Sequence, residues 1–136
     1  MDPLELLNER IPDFPGYATD VARRSSDERV RSFLGEMLAD LAARCKPADP
    51  AVNERLGDLT FRAGFANQSV FRAYEAAPLD AAAEAAVARA DAAAVNLADV
   101  AAALDPRDLP GFLTEVEAAF DARDAAMRGA TSKSPV

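Results

Sequence analysis

Prolines divide this chain into long segments, and this punctuation constrains the fold more than any other feature of the sequence. Proline lacks a backbone N–H and disfavours the α conformation at the residue before it, so an X-Pro pair tends to end a helix. Such pairs occur at Ile11-Pro12, Lys46-Pro47, Asp49-Pro50, Ala77-Pro78 and Asp105-Pro106. Between them apolar residues recur at helical spacing, and alanine, the best helix former, is abundant. The sequence therefore predicts an all-α fold.

Four segments are long enough to be main helices: residues 16–45, 50–75, 79–104 and a last helix from about residue 112. Asp2-Pro3 also opens a short N-terminal helix, because aspartate caps a helix well and proline suits its first position. Short connectors favour antiparallel neighbours. We expect an antiparallel up-down four-helix bundle with a short extra N-terminal helix, forming a single domain over residues 1–128. The small, polar residues of 129–136 predict a disordered C-terminal tail.

The first long segment has an interruption in its apolar face. Its second half is strongly amphipathic, but upstream the same face continues as the charged residues Asp27 and Arg23. Ser25, followed three residues later by Glu28, matches a capping box. We therefore predict a kinked or interrupted helix over 16–45, with Ser25 as an N-cap near the break.

Composition excludes several classes of function. The net charge of −8 argues against a nucleic-acid or membrane partner, because both present a negative surface. The first ten residues contain neither a signal-peptide core nor a membrane span. Cys45 is the only cysteine, so no internal disulfide can form, and a reducing cytoplasm is the expected location.

The chain lacks the usual parts of an active site. Histidine is absent, which excludes Ser-His-Asp and Cys-His catalysis and the Glu-x-x-His ligands of di-iron bundles. No glycine-rich phosphate loop is present. Cys45 lies on an apolar stripe and is interpreted as a structural thiol, and Glu36 with Asp40 as a solvated acidic pair. We expect no catalytic residue, no metal and no cofactor.

One basic cluster occurs in this acidic chain: Arg23, Arg24, Arg29 and Arg31. It could bind an anion, a phosphate group or an acidic partner. Alternatively the arginines pair with Asp20, Asp27 and Glu28 at helical spacing, and these interleaved acids would nearly cancel their positive field. We favour the second interpretation and expect no affinity for nucleic acid.

The second long segment, residues 50–75, has apolar side chains on two faces. One stripe contains the expected core residues, which are Val52, Leu56, Leu59, Ala63, Ala66, Val70 and Tyr74. The face that should meet water contains Gly57, Phe61, Gly64, Phe65 and Gln68. Phe71 lies between the two faces.

Three explanations of Phe61 and Phe65 are open. The helix could break near Gly64 or at residues 67–69 and turn both rings into the core. The N-terminal helix could fold over them. They could also form an exposed patch for a partner, most simply a second copy of the chain.

These observations predict a non-catalytic protein that acts by association, as a homodimer or as an adaptor for another protein. In a homodimer through the second long helix, Glu54 and Arg72 at opposite ends of the exposed face would favour antiparallel pairing. The alternative is a bundle that binds a small apolar ligand in an aromatic pocket. The side chains expected to line that pocket are Phe61, Phe65, Phe71 and Tyr74, with polar contacts from Asn67 or Gln68.

Overall fold

The computed structural model describes residues 1–131, and every regular element in this range is helical. In chain order the helices are α1 Pro3–Arg10, α2 Asp20–Cys45, α3 Pro50–Gly64, α4 Gln68–Ala76, α5 Ala81–Ala102 and α6 Leu109–Thr131. A 3-10 turn, Pro106–Asp108, joins α5 to α6. The described part of the chain contains no β-strand, which confirms the predicted all-α fold.

Aspartates begin several of these helices. The side chains of Asp2, Asp49 and Asp80 accept hydrogen bonds from the backbone N–H groups of the first helical turns of α1, α3 and α5. Asp105 caps the 3-10 turn in the same way. Each cap satisfies a backbone donor that has no partner within the helix.

The predicted break at Ser25 is wrong. α2 runs without interruption for 26 residues, and its N-cap is Thr19, whose hydroxyl accepts a hydrogen bond from the N–H of Ala22 at 3.0 Å. The charged face that suggested a break is buried rather than solvated: Arg23, Ser26 and Asp27 are each at most 4% exposed. Because these side chains have polar partners inside the protein, the helix continues with a polar buried face.

The second long segment forms two helices instead of one. α3 ends at Gly64, Phe65 has an extended backbone, and the side chain of Asn67 caps α4 by accepting a hydrogen bond from the N–H of Ser69. The break therefore lies at residues 65–67, close to the position that one of the three explanations proposed.

The helices share one contiguous apolar core, to which all six contribute. α2 packs against α3, α4 and α5, and α6 packs against the same three helices. α1 lies on α5, where Arg10 forms an ion pair of 2.7 Å with Asp99.

α6 continues to Thr131, three residues beyond the predicted domain boundary at 128. The rest of the predicted tail, residues 132–136, lies outside the described residues. Among residues 1–131, no helix combines the length and the apolar character needed to cross a bilayer.

Candidate functional site

The most unusual surface feature is a pair of phenylalanines at the end of α3. The side chains of Phe61 and Phe65 are 70% and 64% exposed. Their ring centroids are 5.1 Å apart with the planes tilted by 49°, a normal geometry for an aromatic pair. The two rings therefore form a preformed apolar patch on the protein surface.

The break after α3 does not turn these rings inward. It redirects the following helix, so that Phe71 and Tyr74 of α4 are buried in the core while Phe61 and Phe65 stay outside. The N-terminal helix does not cover them either, because α1 packs against α5. Of the three explanations, exposure of the patch is the one that agrees with the described residues.

The two glycines beside the patch are not packed against any other part of residues 1–131. Gly57 and Gly64 are exposed, and a Cβ atom added to either would meet no other atom within 4 Å. Gly57 lies in the interior of α3, where glycine costs about 1 kcal/mol relative to alanine. Gln68, also assigned to this face, is the exposed first residue of α4 beyond the break.

The exposed face of α3 is acidic as well as aromatic. Glu54 and Asp58 are exposed and precede Phe61 and Phe65 along one stripe, at positions i, i+4, i+7 and i+11. The arginines of α3 are not available to balance these charges, because both contact α6. Arg55 bonds to Pro110 and Thr114, and Arg62 pairs with Asp121 and Asp124.

Arg62 also fixes the position of the patch. Its guanidinium lies 5.1 Å from the centroid of the Phe120 ring and 2.8 Å from Asp121 on α6. Asn67, in the break between α3 and α4, donates a hydrogen bond of 3.1 Å to Asp124. The end of α3 is thus held by α6 on one side, which leaves the opposite side for the two rings.

A buried network of charges joins three helices inside the protein. Arg123 of α6 lies between two carboxylates, with Nη2 2.7 Å from Asp27 of α2 and Nε 2.7 Å from Asp91 of α5. These three side chains are at most 4% exposed. The second oxygen of Asp27 accepts a hydrogen bond of 2.8 Å from Arg31, and that of Asp91 accepts one of 2.6 Å from the Tyr17 hydroxyl.

Burial and charge shift the ionisation of this network. Burial opposes the charged guanidinium of Arg123, but the carboxylates of Asp91 and Asp27 outweigh this and raise its pKa. Burial raises the pKa of Asp91, against the opposing effects of Arg123 and Tyr17. The pKa values of Tyr17 and Tyr74 are raised, first by burial and then by the nearby carboxylate of Asp91. Both tyrosines are therefore neutral in the folded protein at physiological pH.

The sequence contained a signal for this network that periodicity alone did not resolve. Arg123 follows Phe120 by three residues and precedes Met127 by four, which places it on the apolar face of α6. Asp27 precedes Val30 by three residues and Leu34 by seven, which places it on the apolar face of α2. A charged residue at a core position on each of two helices, with opposite signs, indicates a buried ion pair.

The arginines of the predicted anion site do not converge on one point. Arg23 is buried and donates to the backbone carbonyls of Tyr17 and Glu75, while Arg31 pairs with Asp27. Arg24 forms an ion pair with the side chain of Glu75 on α4. Arg29 donates to the carbonyl of Pro12. Each of the four guanidiniums therefore has a partner within the chain.

Arg29 also lines an open groove of about 560 Å³ between the end of α1 and α2. The acidic residues Glu28 and Glu36 line the same groove, so its charge is mixed. The groove is thus a poor match for a ligand of one charge sign.

The four aromatic residues of the predicted ligand pocket are divided between surface and core. The cavity nearest to them is bordered by Phe65, Phe71, Asn67 and the buried network, and it has a volume of only about 20 Å³. A space of this size holds about one water molecule.

No group of three or more histidine, cysteine, aspartate or glutamate side chains within residues 1–131 is arranged to hold a metal ion. Asp27 and Asp91, the buried carboxylates, are instead occupied by arginine and tyrosine donors. Comparison with protein-family models, curated proteins and solved structures finds nothing that matches this chain.

Proposed function

We propose that this protein is non-catalytic and acts by associating with a protein partner through the exposed patch formed by Phe61 and Phe65. The observation that carries the proposal is the exposure of two adjacent rings that no element of the described chain covers. Exposed aromatic residues that lie next to each other at the end of a helix can serve as anchors of a protein interface.

The polar interior supports a structural role over a catalytic one. Within residues 1–131, every buried side-chain nitrogen or oxygen has a hydrogen-bond partner. The charged groups of the network neutralise one another, and their cavity has no room for a substrate. These groups therefore serve to fix the relative positions of α2, α5 and α6.

We also propose the helix arrangement and the cellular compartment in which this association occurs. α3 and α4 together replace one long helix, so α2, the α3–α4 pair, α5 and α6 supply the four units of an up-down bundle with α1 as an extra helix. A single, half-buried cysteine suits the reducing cytoplasm. The partner is either a second copy of the chain, giving a homodimer, or another protein for which this chain is an adaptor.

A small apolar ligand is the second candidate, and the structure supports it less well. Such a ligand needs an enclosed apolar cavity of a few hundred Å³. The cavity beside Phe65 is far smaller than this and is lined largely by charged side chains, among them Asp27, Arg62 and Arg123.

The test is a pair of double variants that carry the same change in charge on different surfaces. Phe61→Glu/Phe65→Glu changes the patch, and Val21→Glu/Val100→Glu changes two exposed apolar residues of α2 and α5. A photo-crosslinking amino acid at position 61, or at position 21 as control, then traps any partner in the native lysate, and light scattering gives the mass of the purified protein.

We expect an adduct or a doubled mass that depends on positions 61 and 65 and is unaffected by changes at 21 and 100. A purified monomer that forms no adduct through position 61 would contradict the proposal. Unfolding of the Phe61→Glu/Phe65→Glu variant would also contradict it, since the rings would then belong to the core.

A further inference from the structure

We infer that the occupant of the α3 patch is a short amphipathic helix with a basic side, supplied by another protein, rather than a second copy of this chain. This inference rests on the proposed function and names the chemistry of its partner. Three features of the described surface carry it: the size of the patch, the order of charges along α3, and the break that follows Gly64.

The patch is too small for a stable dimer. A largely exposed pair of phenylalanines presents roughly 300 Å² of apolar surface, whereas a standard stable interface buries about 800 Å² from each partner. The stripe from Glu54 to Phe65 spans three helical turns, or roughly 16 Å at the rise of an α-helix. These dimensions match one face of a single docked helix.

The charges of the stripe specify what that helix must carry. The aromatic end of the stripe, Phe61 and Phe65, requires apolar side chains at i, i+3 and i+4 of the partner. The acidic end of the stripe is Glu54 and Asp58. Neither is paired with an arginine of α3, because Arg55 and Arg62 both contact α6 instead. Lysine or arginine one or two turns from the apolar anchors would therefore complement this face.

A second copy of the chain does not provide these cations. A parallel pairing of two α3 helices would set Glu54 and Asp58 against the same acids. An antiparallel pairing centred on the rings would place Glu54 and Asp58 opposite residues beyond Gly64, where α3 has ended. Arg72, which a continuous helix would have brought there, lies instead in α4. The net charge of −8 on each chain adds a general repulsion.

Gly57 strengthens the case for a docked helix. It lies on the same face, between Glu54 and Asp58 and one turn before Phe61, and has open space around its Cα. A missing side chain at this point allows the backbone of a partner helix to approach closely. The glycine thus has a use in a complex that it lacks in the isolated chain.

The experiment uses two synthetic helical peptides of 16 residues that share leucines at i, i+3, i+4 and i+7. At the charged positions, one peptide has lysine throughout and the other has glutamate throughout. Binding of each labelled peptide to the full chain is measured by fluorescence anisotropy at low and at raised salt. Two variants, Phe61→Glu/Phe65→Glu and Glu54→Lys/Asp58→Lys, map the site. Glu115→Lys/Glu117→Lys on α6 is the matched control, since these acids are exposed and the change in net charge is the same.

We expect the basic peptide to bind at least tenfold more tightly than the acidic one, and more weakly as salt rises. Glu54→Lys/Asp58→Lys should weaken the basic peptide about tenfold and reverse the preference, while the α6 control changes binding less than threefold. Phe61→Glu/Phe65→Glu should abolish binding of the acidic peptide and reduce that of the basic one.

Equal binding of the two peptides, binding of neither, or equal effects of the α3 and α6 lysine variants would overturn the inference. A wild-type dimer that becomes a monomer in Phe61→Glu/Phe65→Glu would also overturn it but would leave the proposed function standing. Failure of the proposed function itself is recognised separately, by the absence of both an adduct through position 61 and a doubled mass.

Discussion

Two regions of this protein reverse the usual placement of side chains. At the end of α3, Phe61 and Phe65 are exposed to water, while Asp27, Asp91 and Arg123 are buried between α2, α5 and α6. The charges are tolerated inside because each has a partner of opposite sign, at 2.7 Å in both ion pairs of Arg123. No element of residues 1–131 packs over the two rings. Burial therefore depends on what packs opposite a side chain: the charges are buried because opposite charges meet them, and the two rings stay exposed because no described element covers them.

The largest expected effect comes from removing the central cation of the buried region. Arg123→Met should lower the free energy of unfolding by about 3–5 kcal/mol, because it leaves the buried carboxylate of Asp91 without a counter-ion and that of Asp27 with Arg31 alone. Denaturation in urea measures this loss. Arg128→Met, at an exposed position of the same helix, should change stability by less than about 0.5 kcal/mol.

A further variant separates charge from volume in this effect. Adding Asp27→Asn and Asp91→Asn to Arg123→Met should restore part of the lost stability, since the unpaired charges are removed while the cavity stays. If the triple variant is less stable than the single one, the cost lies in packing, and the contrast between the two regions does not depend on charge pairing.

Alkaline pH tests the same interior through its two tyrosines, which are the only tyrosines of the chain. Burial and the proximity of Asp91 hold the pKa values of Tyr17 and Tyr74 above the ordinary value of 10.0. The unfolded chain therefore releases protons above pH 10 that the folded protein retains, so stability falls as pH rises. With about 1.4 kcal/mol per pH unit for each tyrosine, the loss should reach roughly 3 kcal/mol by pH 11.

Tyrosinate absorbance during an alkaline titration measures this behaviour. It should remain low while the protein is folded and then rise cooperatively with the loss of helical circular dichroism. Tyr17→Phe should reduce the pH dependence by about half. A gradual rise near pH 10 in the folded protein would show that the tyrosines are hydrated, and the interior would then be less closed than its geometry indicates.

Removing the N-cap of α2, the helix that carries part of the buried network, should have a smaller effect on stability. Thr19→Ala should destabilise the protein by about 1 kcal/mol, because the hydroxyl caps the helix that carries Arg23 and Asp27 into the core. Ser25→Ala, within the helix, should cost less than about 0.5 kcal/mol. Thermal unfolding of the two variants compares them directly. A larger loss for Ser25→Ala would favour a helix that starts at Ser25 after all.

The smallest expected effect concerns the exposed face of α3, where a substitution should raise the free energy of unfolding rather than lower it. Gly57→Ala should raise the free energy of unfolding by about 0.5–1 kcal/mol, because alanine is the better helix former and its methyl group meets open space. Gly16→Ala is the contrasting control: its backbone φ of +78° favours glycine, so stability should fall. Loss of stability in Gly57→Ala would mean that the α3 surface is packed within the chain.

Much of the helical pattern could be predicted because it depends on short-range effects. The X-Pro pairs and aspartate caps act within one helical turn, and they marked the start of α1 at Asp2-Pro3 and of α3 at Asp49-Pro50. The angle of Phe61 on the helix placed it away from the predicted core stripe, but the sequence left open whether a helix break or another element would bury it. The prediction of one continuous exposed face fails beyond Gly64. Gln68 and Phe71 belong to α4, and Phe71 is in the core.

The buried network could not be predicted with the same rules. Ser25 with Glu28 has the local pattern of a capping box, and Asp27 with Arg23 has the local pattern of a solvated turn. Inside the protein Asp27 pairs with Arg123, 96 residues along the chain, and Arg23 donates to the carbonyl of Glu75, 52 residues along the chain. Local propensity does not contain this information, because the stabilising partner is distant in sequence.

The sequence by itself determined that the chain is helical, where α1 and α3 begin, and that Phe61 lies off the core stripe of its helix. These properties follow from backbone sterics, capping and periodicity, which operate within a few residues. The tertiary structure decided that α2 is continuous, that the second long segment breaks at residues 65–67, and that α1 lies on α5 and leaves the patch uncovered. Each of these outcomes depends on which side chains of different helices meet, since a buried charge is stable only opposite its partner and an apolar ring is buried only where another element packs over it.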